Sequence, residues 1–165
     1  MKFAFAFAVS LLIGTGMASA EMRAPSGPVV LTVSGAITQT NASGVAKFDL
    51  DMLEALASRK TTTKTPWTEG TPTFEGPLGS ALLEAVGASG QVLVVTALND
   101  YSAEIPVEDF KKWPVILATK RDGERMPIRD KGPLFVIYPF DVDESLYSEI
   151  YFNRSVWQVK SIEVR

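Results

Sequence analysis

Apolar residues fall along this chain in short, well-separated stretches whose spacing assigns most of them to strands or helices. Residues 92–97, Val-Leu-Val-Val-Thr-Ala, have the length and β-branched content of a strand covered on both faces. Asn99, Asp100, Tyr101 and Ser102 follow at once, so the strand empties into a polar, aromatic corner. Residues 101–105 return as a short strand, and Pro106 opens a helical turn over 107–113 with Glu108 and Asp109 near its positive end, before Pro114 stops it.

Upstream, residues 29–34 read as a strand that bends at Gly35 and resumes at 36–38 on the edge of a sheet. Asp49 is a suitable N-cap for a helix over 50–58, since Met52, Leu53 and Leu56 share one face, and Arg59 and Lys60 suit its C-terminus. The tract 60–70 alternates threonines with other polar residues, which fits an extended segment leading to Trp67. A tryptophan after a proline in such a stretch is not expected to be fully buried. Gly76 and Pro77 start a second helix, striped by Leu78, Leu82, Leu83 and Val86 and ended by Gly87. Downstream come a strand at 115–119, an Asp122-Gly123 turn with the hairpin continuing through 126–128, and a second buried strand at 134–138. An acidic loop and an alternating strand at 156–164 close the chain, with Trp113 and Trp157 read as packing residues.

Composition narrows the chemistry. Lys2, an apolar run and Ala18-Ser19-Ala20 make residues 1–20 an export signal cleaved after Ala20, with no later stretch approaching the roughly 20 apolar residues of a membrane span. The expected product is a free periplasmic domain over 21–165, of a length that buries a core without disulfides. Removing Lys2 leaves 15 of the 16 basic side chains against 19 acidic ones, a net of −4, which favours neither nucleic acid nor an anionic membrane face. Cys and His are both absent, and with them thiolate nucleophiles, imidazole bases, catalytic triads and ordinary zinc or copper sites.

What remains is recognition. A planar aromatic beside an amide and a carboxylate, at the mouth of a rigid strand, can stack a flat heterocycle and satisfy its polar edge. The plain alternative is an ordinary turn, because Asn-Asp pairs bond their own backbone.

Several motifs, taken in order, carry a resemblance: Val-Ser-Gly in the opening strand, Asp-Leu-x-x-Leu in the first helix, Trp-x-x-Gly before a Leu-Leu helix, and Asp-Tyr-Ser-x-x-Ile-Pro. Ala-x-x-x-x-Gly-x-x-x-Pro, Gly-Pro-Leu-x-x-x-x-Pro and a final Trp-x-x-x-x-Ile-x-Val complete the set. Together they resemble the molybdopterin-binding domain of the sulfite oxidase family. The resemblance implies a mixed, mainly β, α+β single domain whose pocket gathers the loops around Trp67, Asn99 to Ser102 and the segment before Pro139. Enzymes of that family hold molybdenum through a cysteine between the first helix and the Trp-x-x-Gly segment, where this chain has Thr61 to Pro66 and no thiol.

The chain is therefore similar to small periplasmic pterin-binding proteins of this fold, which report pterin to membrane sensors controlling cyclic-di-GMP turnover. That likeness implies a non-enzymatic role, a free pterin as ligand and a sensor's periplasmic domain as partner. The alternative is a divergent oxidoreductase that keeps molybdopterin by other ligands. On the pterin reading Trp67 and Tyr101 stack the rings, Asp100 accepts the N–H edge, and Asn99 or a cation from Arg121, Arg125 and Arg129 donates to the carbonyl, with Ser102 beside them. Taken alone, the interleaved charges of 121–130 read as a solvated hairpin.

Overall fold

Strand pairing, more than helix propensity, sets the architecture of residues 22–165, which the computed structural model describes; the export-signal reading of 1–20 lies outside the described residues. In chain order the strands are β1 (Leu31–Gly35), β2 (Ala46–Phe48), β3 (Ser58–Thr62), β4 (Thr73–Pro77), β5 (Val92–Ala97), β6 (Ser102–Pro106), β7 (Ile116–Ala118), β8 (Lys120–Arg121), β9 (Glu124–Arg125), β10 (Phe135–Ile137) and β11 (Val159–Val164). The α-helices are α1 (Leu50–Glu54), α2 (Gly79–Ala85), α3 (Val107–Lys112) and α4 (Glu149–Arg154).

A five-stranded sheet runs in the order β2-β1-β11-β5-β6, with β1 and β11 parallel and the other pairs antiparallel. A second sheet runs β3-β4-β8-β9, and β7 pairs with β10 as a separate ribbon. The ribbon divides the interior. Leu117, Val136, Leu134 and Tyr138 join the main core against the large sheet, while Ile116, Ala118, Phe135 and Ile137 form a second cluster with Phe74 and Met126. Every residue of β7 and β10 is buried, so coverage on both faces belongs to this ribbon. The strand at 92–97 was expected to have it and does not: in β5 Leu93, Val95 and Ala97 are buried, while Val92, Val94 and Thr96 on the opposite face are only half-buried.

Three other expectations are corrected. β1 is an interior strand, paired on one side with β2 and on the other with β11, and residues 36–38 form no strand. Gly35 is required where it ends: φ is +89°, and a Cβ there would run into the Val164 carbonyl. The first helix stops at Glu54 because residues 58–62 are claimed by the ladder with β4, so Arg59 and Lys60 lie in a strand. Asp49 does cap it, its Oδ1 accepting from the Met52 N–H at 2.8 Å. Pro77 and Gly76 end β4, and the second helix begins at Gly79 with Leu78 as its cap.

The hairpin turns at Asp122 and Gly123, both at positive φ, as the Asp-Gly pair predicts. It does not continue through 126–128: Met126 drops into the second cluster and Ile128–Asp130 forms a 3-10 turn. The closing strand starts at Val159, since Val156 and Trp157 pair with the β10 ribbon instead. A register shift between Val159 and Ser161 brings Val159 onto the same buried face as Ile162 and Val164, against the strict alternation expected. α4 was not read from the sequence at all.

Candidate ligand-binding site

The corner after β5 is a turn, and it is also a wall. Asn99 Oδ1 accepts from the Tyr101 N–H at 3.1 Å, and Asp100, at φ 66°, donates its N–H to the Ala97 carbonyl. The turn projects the Tyr101 ring toward α4, where its Oη donates to the Asn153 carbonyl at 3.0 Å. Between corner and helix opens a cavity of about 420 Å³ walled by Trp67, Asn99, Tyr101, Glu149, Phe152 and Trp157. That volume lies in the range of small-molecule sites.

The floor is aromatic. Trp67 packs at centroid distances of 5.6 to 5.7 Å against Phe135, Phe152 and Trp157, all tilted or edge-on, so its orientation is fixed by three rings. Phe152 continues the row to Tyr147 and Phe140, which edge a second, more open hollow beside Lys64. Trp67 is half-buried, in keeping with its place in the sequence. The backbone beneath it is pinned where Thr65 and Thr68 form a bridge and share a hydroxyl hydrogen bond of 2.6 Å.

α4 supplies the opposite wall, and a buried ionic knot holds it. Arg154 Nη1 donates to Asp109 Oδ2 at 2.9 Å, and Tyr138 Oη donates to the same oxygen at 2.7 Å. Burial, reinforced by the Asp109 carboxylate, pushes the Tyr138 phenol well above its usual range, so it stays a donor. The knot ties α3, β10's end and α4 together, and so fixes Glu149, Phe152 and Asn153, which share a face at helical spacing.

Of the six residues singled out from the sequence, Trp67, Asn99 and Tyr101 meet at this cavity. Asp100, Ser102 and Arg121 do not line it. The Asp100 side chain is 84% exposed and turned to Lys160, whose ammonium holds its carboxyl below the usual range. Ser102 Oγ lies 3.4 Å from Thr96 Oγ1 on the exposed side of the sheet, and Arg121 sits in β8 opposite Phe74. Arg125 is engaged by Glu54 and Asp51, as a solvated hairpin implies.

Sequence reasoning missed Glu149, Phe152, Asn153 and Trp157. Trp157 was read as a packing residue and packs, but it also faces the cavity. The signal for α4 was present: Ser148 before an acidic first residue and Arg154 in the last turn are ordinary helix punctuation.

Residues 44–165 match the family model described as the oxidoreductase molybdopterin binding domain. The fold is thus that of a molybdopterin-binding α+β domain, and the chain belongs to that family, as its motifs indicated. No curated protein matches it.

The residues present fit a pterin ring better than a molybdenum-loaded, phosphorylated cofactor. In the segment where the resemblance places the family's thiolate, Thr61, Thr63 and Thr65 are buried hydroxyls, and Thr61 Oγ1 has no hydrogen-bond partner among the described residues. A neutral alcohol is a poor substitute for a thiolate toward a soft metal. No Lys or Arg stands among the cavity's lining residues to neutralise a phosphate, and its one formal charge is the Glu149 carboxylate.

Proposed function

We propose that this chain is an exported pterin-binding protein that performs no molybdenum chemistry and reports pterin to the periplasmic domain of a membrane-bound cyclic-di-GMP enzyme. One observation carries the reading. In a molybdopterin-binding domain without any thiol, the cavity is walled by three indole and phenol rings, Trp67, Trp157 and Tyr101. Flat rings stack on such walls whatever their metal status.

Reporting requires a surface that ligand binding changes. The segment around Trp67 suits this, since Lys64, Pro66, Glu69 and Gly70 are exposed while Trp67 reaches the cavity. Ligand promotes partner binding only as far as the partner tightens the ligand, so the two affinities are linked.

Two measurements test the reading. Protein isolated from a molybdenum-replete host is expected to carry pterin without stoichiometric molybdenum; stoichiometric metal would establish the divergent oxidoreductase instead. Co-purification from periplasm, with and without pterin synthesis, is expected to recover a membrane sensor in a pterin-dependent manner. Recovery of no sensor in either state leaves a binding protein without a signalling role.

A further inference from the structure

We infer that Glu149 is the carboxylate that reads the ligand's N–H edge, and that it makes the site selective for pterins bearing the amino group. The inference rests on the pterin-binding reading of the cavity. Glu149 stands in the first turn of α4, three and four residues ahead of Phe152 and Asn153, so all three side chains project to the same wall. It is exposed, and no ion pair or hydrogen bond among the described residues engages its carboxylate. Two neighbouring carboxylates are spoken for: Asp100 pairs with Lys160, and Asp109 takes Arg154 and Tyr138.

Pterin presents an amino group beside a ring N–H, two parallel donors that match the two oxygens of a carboxylate. The adjacent ring carbonyl needs a donor. Asn99 offers its Nδ2, since its Oδ1 is committed to the turn and no group among the described residues engages the amide nitrogen. Asn153 offers a second side-chain amide, its backbone carbonyl being taken by Tyr101. The arrangement supplies one fork acceptor and two amides in a wall that contains no cation, which is complementary to a neutral heterocycle with a donor edge.

The discriminating probes are pterin itself and lumazine, in which an oxygen replaces the amino group, titrated against the full exported protein and against Glu149→Gln. The wild-type protein is expected to prefer pterin roughly tenfold or more, because the carboxylate bond is charge-assisted in pterin and faces an oxygen in lumazine. Glu149→Gln is expected to lose most of that preference, mainly by weakening pterin, with an unchanged melting temperature since the side chain is exposed. If Glu149→Gln binds pterin as tightly as wild type and keeps the preference, the role of Glu149 is overturned while pterin binding stands. If the wild-type protein binds neither probe, the inference and the reading beneath it both fall.

Discussion

Tyr101 Oη donates to the Asn153 carbonyl at 3.0 Å, closing a bridge between the β5–β6 corner and α4 across the mouth of the cavity. Tyr101 is 49% exposed, and the hydrogen bond holds its ring in place at the cavity's edge. Tyr101→Ala is expected to weaken pterin binding by about 1–3 kcal/mol through loss of the stacked wall, while Tyr101→Phe keeps the ring and costs below about 1 kcal/mol. Asp100→Asn, by contrast, is expected to leave affinity unchanged, because that side chain is turned to Lys160 outside the cavity. Equal losses in Tyr101→Ala and Asp100→Asn, measured by calorimetric titration, would point to a different site.

The Asp109 knot is predicted to matter for stability first and for binding through α4. Asp109→Ala strands the Arg154 guanidinium and the Tyr138 hydroxyl, and is expected to cost about 3 kcal/mol or more in denaturant unfolding. Tyr138→Phe removes one bond and is expected to cost about 1 kcal/mol. A loss in Asp109→Ala no larger than in Tyr138→Phe would show that the ion pair contributes little.

Thr61 carries a buried hydroxyl with no partner among the described residues, in the segment where the resemblance places the family's thiolate. Thr61→Val keeps the volume and removes the unsatisfied group, so it is expected to stabilise the protein by about 1 kcal/mol in thermal or chemical unfolding. Destabilisation would mean that the hydroxyl is satisfied by bound water or ligand.

Asp49 ties the lead-in of the chain to α1. Its carboxylate accepts from the N–H groups of Gly27, Met52 and Ser26 and is held down to about 2 from an ordinary value of 3.8, chiefly by the Gly27 and Met52 bonds. A depressed folded value means that the unfolded chain takes up the proton first. The stabilisation is therefore complete above about pH 4 and is lost as the pH falls toward 2. Asp49→Asn is expected to lower the melting temperature at neutral pH and to flatten its fall over that acid window. A variant whose melting temperature tracks wild type between pH 4 and 2 would remove Asp49 from the acid response.

Much of this fold was legible because local signals and tertiary demands agree. The Asp49 cap, the Asp122-Gly123 turn and the Leu82/Leu83 stripe were each read correctly from a few neighbouring residues. Legibility failed where a distant partner decided the outcome. Residues 58–60 continue a helical pattern, but β4 recruits them; the ribbon of β7 and β10 is buried twice over because two clusters close on it, which no window of sequence contains. The site divides in the same way. Asn99 and Tyr101 could be read from composition at a strand mouth and Trp67 only through the family resemblance, whereas Glu149 and Trp157 reach the cavity because the Asp109 knot seats α4 and the β10 ribbon holds residue 157.

The central claim is that a free pterin binds between these aromatic walls without metal, and tryptophan fluorescence tests it most directly. Of the three tryptophans, Trp67 and Trp157 line the cavity and Trp113 does not. Titration of the metal-free protein with a reduced pterin is expected to give saturable, stoichiometric quenching that is largely lost in Trp67→Phe combined with Trp157→Phe. A linear response without saturation in the wild-type protein would contradict the account.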